Sequence, residues 1–282
     1  MRFKVSSNVE YEVHNESTII LNIHALRTTH QTVSEETFST SPNISAEELL
    51  SDHDENRFMR LEIPDPCILN IEYSAIVDTT FELIDFEALT DVPISQMEPY
   101  ILPYLYPSRY CQSDKLYRLA NNKFGNIGNA YQKVLSLTEW IHRNVEYLSG
   151  LTNSQTSAYD TVTEQAGVCR DFAHLGIALC RALTIPARYF TGYAYKLDPP
   201  DFHACFEAYM GGKWVIFDAT MIAPLNGLVK IASGRDAADA AIASIFGNVS
   251  FGKIKVGSAC IQEGFDPYFY NSSELKGLSY QE

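Results

Sequence analysis

Hydrophobic and polar residues alternate through much of the first 86 positions of the chain. The alternating apolar residues include Tyr11, Val13, Ile19, Leu21, Ile23, Leu61, Ile63, Leu69, Ile71 and Tyr73. A period of two is typical of half-buried strands, and several short strands separated by turn residues indicate an antiparallel sandwich. The pattern therefore predicts an N-terminal β-sandwich domain over residues 1–90. Ser45 and Glu48 fit a capping box within it, which predicts a short helix there.

Four prolines follow this region at short intervals, and they exclude a helix or a central strand. They are Pro93, Pro99, Pro103 and Pro107. Proline lacks the backbone N–H that both structures need in their interiors. We therefore predict a proline-rich linker over residues 91–112, followed by a second domain over residues 113–282.

The second domain opens with helical patterns. Ser113 is expected to cap a short helix, and Asn129 a longer one whose buried side carries Val134, Leu137 and Ile141. Residues 158–165 predict a third, short helix. The alanine-rich stretch from residue 236 to residue 245 predicts another, which would end at Gly247.

A further helical pattern follows Gly167, where apolar residues recur at steps of three and four up to Leu183 and a proline ends the pattern at residue 186. Cys169 lies at the start of this helix and one residue off its buried stripe. A helix start offers free backbone N–H groups and a favourable dipole end, which stabilise a thiolate. Gly167 lets the chain turn sharply before it, so we expect the thiol to face a cleft.

The two strands predicted after this helix indicate which residues are the partners of the thiol. If Gly211 and Gly212 form a two-residue hairpin loop, Met210 faces Lys213 and Cys205 faces Asp218. His203 shares a sheet face with Cys205, so Asp218 becomes its diagonal neighbour. A carboxylate that holds one ring nitrogen leaves the other free to act as a base toward a thiol.

These residues carry a resemblance to a known family. The segment resembles the transglutaminase-like superfamily of papain-like thiol enzymes, in particular the bacterial branch commonly described as cysteine proteases. The matching stretches are 167–175, 185–189, 192–193, 203–204, Glu207, Trp214 and 218–220, with a further likeness at 234–239. The sequence departs from the family pattern at Cys205, where an aromatic residue is common, and at Ala219, where a proline is common.

The resemblance implies a fold and a set of roles. The expected fold class is α+β, with an N-terminal antiparallel β-sandwich followed by a papain-like transglutaminase core in which the cysteine-bearing helix packs on an antiparallel sheet. Cys169 would be the nucleophile, His203 the base and Asp218 the third member of a catalytic triad. The implied reaction is acyl transfer at an amide bond of a peptide or protein substrate.

Three outcomes of this chemistry stay open at the level of sequence. Hydrolysis would make the protein a cysteine peptidase or amidase, and attack by a lysine amine would make it a cross-linking transglutaminase. Hydrolysis is favoured because no calcium-loop pattern of alternating carboxylates is present. A non-catalytic binding module on the same fold is the third alternative. No substrate-binding residue is assigned, and Gln155, Tyr159, Gln165 and Trp140 are candidates by residue type alone for a second oxyanion donor.

Other polar residues near the motif have structural explanations. Asp171 lies in the first helical turn, where a carboxylate caps N–H groups. His174 is five residues after Cys169 and points away from it on a helix. Glu207 is expected to form an ion pair with Arg188.

Composition narrows the partners and the compartment. The chain has 282 residues, a formal charge of -14 and a pI near 4.9, which argues against a nucleic-acid partner because phosphate binding needs a cationic face. No apolar stretch is long enough to span a bilayer, and no secretory signal is apparent near Met1. The six cysteines are scattered, without a pair or a histidine at zinc spacing. We therefore expect a cytoplasmic protein without membrane partner, metal or cofactor.

Overall fold

The computed structural model describes residues 1–50, 56–270 and 275–280. Strands dominate the first 85 residues: β1 Arg2–Val13, β2 Ser17–Leu21, β3 Gln31–Ser41, β4 Ala46–Leu50, β5 Arg57–Ile63, β6 Cys67–Thr79 and β7 Glu82–Asp85. Helices and two-residue strands follow: α1 Ser113–Phe124, α2 Ala130–Asn144, β8 Glu146–Tyr147, α3 Ala158–Glu164, β9 Ala166–Gly167 and α4 Cys169–Ala182. The remaining strands are β10 Ala187–Ala194, β11 Phe202–Met210, β12 Lys213–Phe217, β13 Leu228–Gly234, β14 Ala243–Phe246, β15 Val249–Cys260 and β16 Lys276–Ser279.

Two four-stranded antiparallel sheets form the N-terminal region, in the orders β15-β1-β6-β3 and β14-β2-β5-β4. Buried and more exposed residues alternate along β1 and β6, as the period of two predicts. The mixed α+β fold class predicted from the sequence is confirmed. The short helix predicted at Ser45 is wrong, because residues 46–50 form β4 and pair with β5. Pairing with a neighbouring strand satisfies the backbone groups of this segment and overrides the local capping preference.

The last strands of the chain return to the N-terminal sheets. Strand β15 pairs with β1, so that Cys260 lies opposite Phe3, and β14 pairs with β2. The helix predicted over residues 236–245 is also wrong, because here too pairing with a neighbouring strand overrides the local helix preference. Residues 235–242 form turns, in which the Asp236 carboxylate accepts hydrogen bonds from the Tyr110 and Ala238 N–H groups, and residues 243–246 join the sheet. The division of the chain at residues 91–112 stays a prediction.

Helix α4 forms the centre of the second region. It begins at Cys169 as predicted, and its apolar residues are buried against strands β10 and β11. The sheet beneath it has the order β12-β11-β10-β13, and helices α1, α2 and α3 contact α4 from its other sides. In the part of the chain that the structure describes, no helix is both long and apolar enough to span a bilayer.

Gly176 allows α4 to approach the sheet closely. A Cβ atom at this position would lie 2.4 Å from Cε1 of Phe206 on β11. Overpacking a core costs about 1–3 kcal/mol, whereas glycine to alanine in a helix interior gains about 1 kcal/mol. We therefore expect Gly176→Ala to lower the free energy of unfolding by about 1–2 kcal/mol in urea titrations. An unchanged or higher unfolding midpoint would show that the Phe206 ring moves aside without cost.

Candidate active site

Cys169 is the first residue of α4, and its thiol is half-buried. The turn before it is held by Asp171, whose Oδ2 accepts a hydrogen bond of 3.0 Å from the Val168 N–H. The other carboxylate oxygen of Asp171 pairs with Arg170 at 2.9 Å. Asp171 is fully buried, so the capping role predicted for it is confirmed and its carboxylate is unavailable to a substrate.

The β11–β12 hairpin has the predicted register. Met210 lies opposite Lys213 and Phe206 opposite Phe217. Gly211 and Gly212 have φ angles of +58° and +78°, which a two-residue type I′ turn requires of both central residues. This register places His203 and Asp218 on the same side of the sheet, next to the start of α4.

His203 and Asp218 form a buried pair. The His203 Nε2 and the Asp218 Oδ2 are 2.8 Å apart, and each residue is 2% exposed. The other carboxylate oxygen, Oδ1, accepts hydrogen bonds from the hydroxyl and the backbone N–H of Thr220. The Asp218 N–H donates to the Tyr270 hydroxyl at 2.9 Å. Asp218 therefore has a fixed position, and through it the imidazole of His203 has a fixed orientation.

The electrostatics of the pair favour an imidazolium. Burial by itself lowers the pKa of His203, but negative charge at Cys205 and Asp218 and the hydrogen bond to Asp218 outweigh it, and the pKa lies well above 6.5. Burial raises the pKa of Cys205 to about 12, so this thiol is neutral near pH 7 and the Asp218 carboxylate is the lasting source of the effect. Burial alone would raise the pKa of Asp218, but the charge of His203 and the hydrogen bonds from His203 and Thr220 lower it.

The structure brings the three sequence-predicted residues together. Cys169 and His203 line the same cleft, and the His203 Nε2 faces Asp218. In the described part of the chain, the His203 Nδ1 is buried and has no hydrogen-bond partner. The arrangement has the parts of a nucleophile, a base and an orienting carboxylate, in that order.

A cleft of about 600 Å³ opens above Cys169 and His203. Its walls come from both regions of the chain, with Tyr11, Phe251 and Ile254 from the N-terminal sheet. The cleft is also lined by Tyr110, Arg170, Tyr189, Thr191, Asp201 and Phe202, and by residues 237–238 and 240–244. The rim loop that replaces the predicted alanine-rich helix therefore lines the site.

Sequence reasoning missed Tyr147. Strand β8 pairs in parallel with β9, which places Tyr147 beside Gly167, and its ring packs 5.9 Å from that of Phe172. Gly167, its partner in this strand pair, is two residues before Cys169. Burial and the charge of Cys169 raise the pKa of Tyr147 to about 12, partly opposed by His203 and by the Cys169 N–H. A two-residue strand gives no periodic signal, which explains why the sequence alone did not reveal it.

The four residues proposed by type for the oxyanion have other contacts. Trp140 packs against Phe124, and Tyr159 lies under the ammonium group of Lys115. Gln165 ends α3 in a left-handed conformation, and the Gln155 N–H donates to the Asn153 side chain. None of these contacts involves Cys169.

His174 and Glu207 have structural roles, as predicted. The His174 ring is fully buried between Tyr110 and Tyr189, and its Nε2 accepts a hydrogen bond from the Ala237 N–H at 3.1 Å. Burial, followed by the charges of Arg170 and Arg181, holds the pKa of His174 well below 6.5. The Glu207 Oε2 pairs with Arg188 at 2.6 Å and with Lys230 at 3.2 Å.

Comparisons with known proteins match both regions of the chain. A model described as the bacterial transglutaminase N-terminal domain matches residues 1–100, and one described as the transglutaminase-like superfamily matches residues 117–219. The crystal structure of a “putative cysteine protease” from Cytophaga hutchinsonii is 57% identical, covers 100% of this chain and 98% of that chain, and superimposes with a TM-score of 0.97.

Curated relatives match shorter parts of the chain. An uncharacterized protein of Mycobacterium leprae is 26% identical over 145 residues, which are 49% of this chain and 52% of that protein. An uncharacterized protein of Mycobacterium tuberculosis is 39% identical over 64 residues, which are 23% of this chain and 20% of that protein. The chain therefore spans about half the length of the first of these relatives and a fifth of the second.

Proposed function

The chain belongs to the transglutaminase-like superfamily, and from this membership we propose that it is a thiol enzyme that transfers acyl groups from amide bonds through Cys169, His203 and Asp218. The observation that carries the proposal is the buried 2.8 Å hydrogen bond between His203 and Asp218, with Cys169 and the same imidazole lining one cleft. The proposed substrate is a peptide or protein, bound in the cleft of about 600 Å³ above the thiol.

The proposed reaction has two stages. The Cys169 thiolate attacks the amide carbonyl, and the His203 imidazolium gives a proton to the leaving amine, which leaves a thioester on Cys169. Asp218 keeps the imidazole oriented and stabilises its charge. Water then attacks the thioester with His203 as the base, which completes hydrolysis. Adding a primary amine to the reaction and searching for the amide product by mass spectrometry tests whether an amine competes with water.

The most direct test is alkylation of Cys169 by iodoacetamide between pH 5 and 9, followed by peptide mapping. Because the pKa of His203 is raised, its imidazolium persists above pH 6.5 and is lost only as the pH rises through the raised value. The Cys169 thiol is half-buried and lines the cleft, whereas Cys111 and Cys205 are buried, and burial raises the pKa values of these two thiols to about 12. We expect selective labelling of Cys169 at pH 6, and a decrease of about tenfold or more in His203→Ala, from the loss of one charge close to the thiol.

An exposed histidine supplies the control for this experiment. His142 is on α2, and its replacement by alanine is expected to leave the labelling of Cys169 unchanged. Equal labelling rates in wild type and His203→Ala would contradict the coupling of thiol and imidazole. The protein would then be better explained as a binding module on this fold.

Tyr147 is the proposed second donor to the oxyanion. In the free protein Tyr147 pairs with Gly167, two residues before Cys169, whose N–H is the first donor expected for an acyl-transfer site of this kind. Tyr147→Phe removes the hydroxyl and keeps the ring that packs on Phe172. We expect kcat to fall on the order of 10²-fold with little change in KM, because the bond is made mainly in the transition state. A rise in KM with kcat unchanged would indicate a substrate-binding role instead.

We further propose that the protein works in the cytoplasm without a nucleic-acid or membrane partner. All six cysteines are free thiols, as is usual in a reducing compartment. The acidic charge of -14 is unfavourable for binding phosphate backbones. Fractionation of cells with an antibody against the protein tests the location, and recovery from a periplasmic or membrane fraction would contradict it.

A further inference from the structure

Cys205 brings a second thiol to the buried side of the candidate active site. It is 1% exposed and packs among apolar residues that include Phe190, Ile216 and Tyr280. Each of His203, Cys205 and Asp218 offers one possible metal-ligand atom, and these three atoms lie within 4.8 Å of one another. This is the one such group of three or more possible metal ligands among residues 1–50, 56–270 and 275–280. The register of the β11–β12 hairpin brings these three residues together, although they form no Cys/His spacing motif typical of zinc sites.

We propose that His203, Cys205 and Asp218 form an inhibitory binding site for a zinc ion. An imidazole nitrogen, a thiolate and a carboxylate oxygen are the three ligand types that Zn²⁺ prefers in proteins. A thiolate and a carboxylate together balance the charge of the ion, which a buried site requires. The fourth position would be taken by water.

The geometry needs little rearrangement to accept the ion. The His203 Nε2 and the Asp218 Oδ2 already lie 2.8 Å apart and share a proton, and the Cys205 sulfur is within 4.8 Å of a ligand atom of each of these residues. Zinc would replace the shared proton and the thiol proton, which both pass to solvent, while bonds form from the nitrogen, the oxygen and the sulfur to the metal. His203 lines the cleft, which gives the ion an entry path.

Zinc in this position would remove both the base and its orienting carboxylate from the proposed reaction. Binding itself does not depend on Cys169, and this separates the metal site from the proposed function. A protein that binds zinc here but cleaves no amide would keep the site and lose the function. The reverse result, activity without zinc binding, would keep the function and remove the site.

The test uses the full chain with Cys169→Ala, stripped of metal by a chelator and titrated with Zn²⁺ by calorimetry and with Co²⁺ by absorbance. We expect one ion per chain and a thiolate-to-cobalt charge-transfer band. Cys205→Ser in the same background should abolish the band and weaken zinc binding on the order of tenfold or more. Cys180→Ser changes a buried cysteine on α4, outside the proposed site, and is the matched control. It should bind zinc like the Cys169→Ala protein.

X-ray absorption at the zinc edge provides a reading that does not depend on a Cys205 variant folding well. The Cys169→Ala protein should show one sulfur ligand together with nitrogen and oxygen ligands. Zinc without a sulfur ligand, no binding at all, or binding that Cys205→Ser leaves unchanged would each overturn the proposal. In wild-type protein, any amide cleavage should be inhibited by zinc and restored by a chelator.

Discussion

Replacing Cys169 by alanine is expected to lower kcat/KM for amide cleavage by about 10⁴-fold or more, because no other group can form the thioester. Cys205 is neutral near pH 7 and 1% exposed, so it cannot take over as nucleophile. A panel of fluorogenic peptide amides provides the rate, and mass spectrometry of the quenched wild-type reaction should detect the acyl group on the peptide that contains Cys169.

Two further variants separate a loss of chemistry from a loss of fold. Cys180→Ala removes a fully buried thiol on the same helix and should keep most of the activity, although it lowers stability. Asp218→Asn should keep the acyl-enzyme chemistry but slow it by roughly 10²–10⁴-fold, because the imidazole loses its orienting charge. Undiminished cleavage by Cys169→Ala would place the nucleophile elsewhere and remove the proposed mechanism.

The site could be predicted from the sequence where two local rules coincide. The stripe from Phe172 to Leu183 fixes where α4 begins, and the Gly211-Gly212 turn fixes the register of β11 against β12. These two features bring Cys169, His203 and Asp218 into one place without information on distant contacts. The alternation of the first 86 residues likewise indicates strands, since one face of each sheet is buried.

The parts that could not be predicted depend on pairing between distant segments. Residues 243–260 join sheets formed by residues 1–79, and only the tertiary fold reveals that an alanine-rich stretch has a strand as its partner. Tyr147 comes next to Cys169 through a two-residue parallel strand pair. The contact of Cys205 with His203 could be anticipated from register, but its full burial needs the packing of the β16 region on the same side of the sheet.

Replacing Glu207 by glutamine is expected to lower the free energy of unfolding by about 3–5 kcal/mol near pH 7, because it removes the charge of a buried carboxylate that Arg188 and Lys230 share. The Glu207 carboxylate is 1% exposed and is shared by Arg188 at 2.6 Å and Lys230 at 3.2 Å. The guanidinium of Arg188 also stacks 4.3 Å above the Trp214 ring, so the cluster connects β10, β11, β12 and β13. Chemical denaturation monitored by tryptophan fluorescence measures the change.

The pH dependence of this difference identifies its cause. Burial by itself raises the pKa of Glu207, but the charges of Arg188 and Lys230 and their hydrogen bonds outweigh it, and the pKa is below 4.5. A lowered carboxyl pKa contributes stability above the unfolded value of about 4.5. That contribution is lost as the pH falls through the folded value. The difference in unfolding free energy between wild type and Glu207→Gln should therefore be constant above pH 5 and become smaller in acid.

Glu139→Gln breaks an exposed ion pair with Arg143 and should cost less than about 0.5 kcal/mol at any pH. A similar cost for both variants would mean that the buried cluster is solvated and does not hold the four strands together.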